Sequence, residues 1–265
     1  SKQTTVNGTE RVGGFCVDLS NLSITKFCSA IAQTKGTGDY VGGFAGITGS
    51  NIQNSEATGS VYTQGNYVGG FIGAQNNGTT TQCNAMGSVR GNNRVGGFAG
   101  QGNKMVQCFA AGSTTGNDYV AGFAGSGSVY ANDCFASGSV HTNGNYGSGF
   151  NNEGEITNSY TSSQISGSGA NMAGLVGRIS RSASSSCYFD STYNSNLQGT
   201  ADGRNLNNHK GLLTEQYSNK NIFKDWDFSN IWQLGTISQI DMYPRPYHQW
   251  YMNKNTEAIP FTSLQ

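Results

Sequence analysis

Six cysteines, three histidines and a scatter of carboxylates are the side chains of this 265-residue chain that could do chemistry. The cysteines are Cys16, Cys28, Cys83, Cys108, Cys134 and Cys187. An even count suits a disulfide framework. No short-range pair of Cys or His has zinc-ligand spacing, so no metal site is expected. Glycoside hydrolysis needs two carboxylates facing one cleft. Glu153 and Glu155 in "NNEGEIT" share parity and could pair, although the same stretch reads equally as a solvated turn. Asp18, Asp39, Asp118 and Asp133 fall mostly in turns or on separate outward columns. "TTT" at Thr79–Thr81 is too local for the flat threonine array of an ice-binding face. These sets argue for neither enzyme nor cofactor.

What positions these residues is a repeat. The phrase "YVGGFAG" at Tyr40 returns as "YVGGFIG" at Tyr67, "RVGGFAG" at Arg94 and "YVAGFAG" at Tyr119. Its aromatic falls at Phe15, Phe44, Phe71, Phe98, Phe123 and Phe150, with Leu175 in the seventh place. The intervals are 25 to 29 residues. A phosphate-binding loop would occur once, before a helix, and no amphipathic helix follows any copy. Fixed-period self-similarity marks a solenoid whose coils stack one on the next. The expected fold is all-β, a parallel solenoid of about seven coils over residues 1–190, with a non-repetitive segment at 191–265 packed on it as a cap.

A second register runs between the glycine phrases: "SEATGSV" at Ser55, "CNAMGSV" at Cys83, "CFAAGST" at Cys108 and "CFASGSV" at Cys134. Period-2 alternation makes it a strand with one buried face of small residues. Cys83, Cys108 and Cys134 then form an internal column. In-register neighbours on parallel strands lie ~4.8 Å apart with Cβ atoms pointing the same way, poor geometry for a disulfide, so free thiols acting as small hydrophobes are favoured. Thr25, Ile52, Thr80, Met105, Ala131 and Ile156 form a mixed column read as inward. Val41 and Phe44 have opposite parity, so both are buried only if Gly42-Gly43 bends the chain. About three short strands per coil fit the length. The Phe ladder fills the core.

Two outward columns could carry contacts. One reads Ser29, Glu56, Asn84, Phe109, Phe135, Tyr160, Tyr188, and its aromatic half would be exposed on a bare solenoid. Phe109, Phe135 and Tyr160 are therefore candidate partner-binding residues, unless the tail folds back over them. The other is Tyr40, Tyr67, Arg94, Tyr119, Tyr146, an aromatic platform for a sugar or protein, or a self-supporting surface stack. In the tail, Phe223, Trp226, Phe228 and Trp232 are expected to bury against the last coil or its side.

Lys+Arg and Asp+Glu balance at 15 each and charged residues are 11%, which argues against a general nucleic-acid surface. No stretch approaches about 18 consecutive apolar residues, so no membrane span is expected. The chain opens with Ser and shows no signal peptide, as expected of a mature region or a part of a longer chain.

"AGLVG" at Ala173–Gly177 resembles the Gly-Leu-any-Gly motif of the GLUG repeat family of bacterial secreted and surface proteins. The Gly-Phe-Ala-Gly copies are close variants. "SSCYFDSTYN" at Ser185 and "GLLTEQYSNKNIFKDWDFSNIWQL" at Gly211, followed by "YPRPY", look like the segments that close such arrays. The likeness covers roughly Arg11 to Tyr247. It implies a right-handed parallel β-helix, found in adhesins or beside the protease domain of bacterial immunoglobulin-A proteases. No His-Glu-x-x-His occurs here and the histidines are His141, His209 and His248, so protease activity does not transfer. The expected function is a secreted or cell-surface adhesin or display module meeting a protein or glycan on a cell or in a matrix. The alternatives are a self-associating filament subunit and a polysaccharide-acting enzyme.

Overall fold

Small and apolar residues recurring every 25–29 positions must superpose, and in the computed structural model they do. It describes residues 4–20, 24–178, 186–201, 209–236 and 244–256. The chain is a parallel β-solenoid of about seven coils. One coil runs through Val41–Gly42, Ala45–Thr48, Asn51–Gln53, Glu56–Ala57 and Val61–Tyr62. That is five short strands, where sequence spacing suggested about three. The extra strands arise because each coil turns several corners. Val41–Gly42 belongs to a seven-stranded glycine wall. Ala45–Thr48 and Asn51–Gln53 belong to a second and a third wall, and the last two strands share a broad fourth wall.

The interior divides into two cores. The larger holds the phenylalanines, the small residues of the broad wall and the buried cysteines. Phe44, Phe71, Phe98, Phe123 and Phe150 stack in one ladder with centroids 4.6–5.0 Å apart. Leu175 completes it, fully buried. Phe15 is a correction: its ring stacks on Phe44 at 4.8 Å, but it is 49% exposed. It belongs to the first described coil, where no further ring covers its other face. Thr25, Ile52, Thr80, Met105, Ala131 and Ile156 pair in register and all are buried. The smaller core is a valine column, Val12, Val41, Val68, Val95 and Val120, facing Val61, Val89 and Val140.

Val41 and Phe44 are thus both buried, as opposite parity plus a bend requires. The bend differs from the sequence reading. The left-handed residue is the one before the valine: Tyr40, Tyr67, Arg94 and Tyr119 have φ of 60°, 58°, 56° and 59°. Gly42 and Gly43 are needed for close approach instead. A Cβ on Gly42 would lie 2.0 Å from the Ala45 carbonyl oxygen, and one on Gly43 would lie 2.1 Å from that of Gly70 in the next coil.

Another corner explains the cysteines. Asn54, Gln82, Gln107, Asp133 and Asn158 are all left-handed, and the next residue is Ser55, Cys83, Cys108, Cys134 or Ser159. That side chain donates to the carbonyl two residues back: Ser55 to Gln53 at 2.9 Å, Cys83 to Thr81 at 3.3 Å, Cys108 to Val106 at 3.4 Å, Cys134 to Asn132 at 3.3 Å and Ser159 to Thr157 at 2.7 Å. Thiol and hydroxyl are interchangeable here because both bracket the corner. All six cysteines are free.

The parallel ladder continues past the expected boundary at residue 190. His209–Leu212 pairs in parallel with Cys187–Asp190, and Thr200 bridges to Val176. The remaining tail holds two short 3-10 turns (Thr214–Ser218 and Lys220–Ile222), an antiparallel pair (Trp232–Gly235 with Arg245–His248) and a helix over Gln249–Thr256. It lies along the outside of the broad wall rather than across the end. From Tyr188 it runs back toward the second coil, where Lys254 meets Glu56 at 3.2 Å.

Candidate functional site

The first outward column stacks in register, Ser29, Glu56, Asn84, Phe109, Phe135, Tyr160 and Tyr188. Its aromatic half is buried. Phe109 stacks on Phe135 at 4.6 Å, and Tyr251 and Tyr247 meet them edge-on. Tyr160 donates its phenol to the Pro246 carbonyl at 2.8 Å. Phe109, Phe135 and Tyr160 are therefore not open to an outside partner; the tail is their partner. Phe223, Trp226 and Trp232 bury in this seam, and Phe228 is half-buried at its rim. Their burial is lateral, because the aromatic stripe lies on the side of the rod.

Charged groups pin the seam. Asp190 is fully buried, lies 3.5 Å from Arg245 and accepts the Thr214 hydroxyl at 2.8 Å. The Arg245 guanidinium also faces the Tyr217 ring at 5.4 Å. His248 is buried, and burial pulls its imidazole down to about 3. Its Nε2 lies 2.7 Å from the Asp133 carbonyl, so the neutral ring carries its proton on Nε2 and donates.

The second outward column is one continuous stack. Tyr40 and Tyr67 are 4.9 Å apart, and the Arg94 guanidinium lies 4.9 Å from the Tyr67 ring and 5.7 Å from that of Tyr119. Tyr119 and Tyr146 are 4.6 Å apart. Both faces of Tyr67 and of Tyr119 are thus occupied, which leaves ring edges to a ligand. The preceding residues form a polar ladder. Asp39 accepts the Asn66 amide N–H at 2.7 Å, Asn93 that of Asp118 at 3.1 Å and Asp118 that of Asn145 at 2.6 Å. This ladder holds the left-handed turn, offsetting a conformation that costs ~1–2 kcal/mol per residue.

Glu153 and Glu155 do not share a face. Gly154 between them has φ +124°, and the strand turns there from the second wall to the third. Glu153 pairs with Arg178 and Glu155 with Tyr130.

No family model matches the chain. No solved structure matches it. It is similar to a protein of Evansella cellulosilytica provisionally named a Gly-rich membrane protein, 34% identical over 134 residues. The match covers 47% of this chain, and the chain spans about 14% of that relative's length. Among the described residues, no helix is long and apolar enough to cross a membrane.

A third outward column escaped the sequence reading. Lys35, Tyr62, Arg90, Thr115, His141 and Ser166 stack in register on the broad wall. Its signal was the residue after each buried valine, in "SVYT", "SVRG" and "SVHT". Beside it runs a cavity of about 280 Å³, edged by Tyr62, Arg90, Asn92, Asn117 and Asn143.

Proposed function

We propose that the chain is a rigid, non-catalytic display module of a secreted or cell-surface protein, of the GLUG-repeat kind. It holds side chains in register for contact with a cell-surface or matrix ligand. The observation that carries this reading is the locked outward stack of Tyr40, Tyr67, Arg94, Tyr119 and Tyr146. Side chains immobilised before binding lose little entropy on contact, so a stacked column is a preorganised surface. The name of the bacterial relative accords with a place at the cell envelope.

The test is binding of the labelled protein to cells and to immobilised matrix glycans and proteins. Saturable binding without turnover of the ligand supports the reading. Release of reducing sugar from a polysaccharide panel replaces it with the enzyme alternative.

A filament subunit is the second reading, and the first coil favours it. Phe15, Val17, Ile24, Phe27 and Ile31 are all exposed there. Exposed apolar patches of this kind mark contacts. Electron microscopy over a concentration series separates the two readings, with single short rods for a display module and ordered filaments for a subunit.

A further inference from the structure

The groove beside Tyr62 differs from the rest of the surface in its chemistry. Tyr62 is 40% exposed and is not packed into a ring stack. It stands between two cations on adjacent coils, Lys35 and Arg90. The Arg90 guanidinium lies 5.9 Å from its ring centroid. Among the described residues, neither cation makes a hydrogen bond or ion pair, so their donors are available. With Asn7, which pairs with Lys35, the seven described members of the column include two cations, a histidine and no carboxylate. The chain as a whole is balanced, so this stripe of one sign is local.

The opposite bank is built from amides. Asn117 donates to Asn92 at 2.6 Å and Asn92 to Asn66 at 3.3 Å. These bonds fix the amide planes while leaving further donor and acceptor capacity on the outermost members. His141 is held between Ser166 at 2.9 Å and Asn143 at 3.2 Å. The groove thus offers the Tyr62 ring, fixed amides, the Thr115 hydroxyl and the Arg90 guanidinium, with Lys35 on the next coil.

We infer that this groove binds a linear acidic polysaccharide, lying along the solenoid axis. The ring of Tyr62 meets the apolar face of a sugar, the amides and Thr115 meet its hydroxyls, and Arg90 forks onto a carboxylate with two parallel N–H donors. Lys35 adds a second positive charge one coil away. A sugar ring presents an apolar face to Tyr62 and hydroxyls to the amides at once; polyglutamate, which has neither, is the peptide control in the titration, and its binding as tightly as the polyuronate overturns the sugar assignment. The inference rests on the reading of the chain as a binding module and adds its ligand class and site.

The experiment is titration of the intact protein with polygalacturonate oligomers, the same oligomers methyl-esterified, polyglutamate and single-stranded DNA, by calorimetry at two salt concentrations. The expected result is binding of the acid form that weakens with salt, with the ester at least about tenfold weaker. Tyr62→Ala and Arg90→Gln each weaken the acid form about five- to tenfold with unchanged melting temperatures, since neither side chain is buried. Tyr130→Ala, exposed on the third wall, binds like the wild type. Equal binding of acid and ester, or no effect of Arg90→Gln, overturns the inference. DNA binding as tight as the polyuronate overturns the sugar assignment. Absence of polyuronate binding while cell binding persists overturns the ligand class alone, and loss of both overturns the display reading as well.

Discussion

Trp232 donates its indole N–H to the carboxylate of Asp133 at 3.2 Å, across 99 residues of sequence. Asp133 is also the left-handed corner residue of its coil, at φ 51°. The same residue accepts the His248 ring N–H on its carbonyl. One aspartate therefore closes a coil and fastens the tail to it. Burial raises its carboxyl above the usual range, while the hydrogen bonds from Trp232 and Asn158 act against that rise.

The tail should loosen in acid. His248 has a folded pKa near 3 and His209 near 4, both depressed by burial. A depressed histidine contributes stability that is fully present above its unfolded value of about 6.5 and is lost as pH falls toward the folded value. Asp133, being raised, has the opposite sign and holds better in acid. With two depressed histidines against one raised carboxyl, melting temperature should drop between pH 6.5 and 4. His248→Gln keeps a donor toward Asp133 and should flatten part of that slope in a pH series of thermal melts.

Trp226 packs on Trp232 at 4.5 Å and donates to the Ser186 carbonyl at 2.8 Å. Trp226→Ala should cost about 3–5 kcal/mol, as for a core tryptophan. Denaturant unfolding followed by fluorescence of Trp232 and Trp250 measures it. A change within error of zero would remove the lateral packing of the tail as a source of stability.

Deleting the tail from Thr214 onward uncovers Phe109, Phe135, Tyr160 and Tyr188 in one stripe. The solenoid should keep its β spectrum and begin to self-associate through that stripe. Light scattering against concentration reads the outcome, and a monodisperse truncated protein would contradict it.

Thiol labelling should divide the cysteines. Cys16 and Cys28 are half-buried and should react with iodoacetamide in the native protein. Cys83, Cys108, Cys134 and Cys187 are buried out of reach of the reagent, so they should label only after unfolding; at Cys187 burial also lifts the thiol to about 12. Peptide mass spectrometry after a short pulse tests this. Cys108→Ser should be tolerated within about 1–2 kcal/mol, because Ser55 and Ser159 already fill the same corner.

Much of the fold was legible because stacked coils turn spacing into position. The intervals of the glycine phrase gave the Phe ladder, and period-2 alternation gave the buried face through Cys83, Ala85 and Val89. The corners were less legible. Tyr40 and Gln82 adopt left-handed φ values that side-chain type does not advertise, because inter-coil hydrogen bonds stabilise them. The sequence showed that Phe109, Phe135 and Tyr160 form a stripe but left open what covers it. A non-repetitive tail has no register to align. The Tyr62 column was hidden for another reason: its members differ in type from coil to coil, so the recurring valine before Tyr62, Arg90 and His141 is the feature that lines them up.

The path of the tail has a mechanical consequence. Lys254 reaches Glu56 in the second coil, and Thr5–Gly8 pairs with Gln33–Gly36 next to it. Tension applied between Thr5 and Lys254 would therefore enter and leave the rod near the same end. The load would peel the tail and the first strand one hydrogen bond at a time, while the coils carrying Phe98, Phe123 and Phe150 bore little of it. Pulled that way, the module yields early at its seam and keeps its spine.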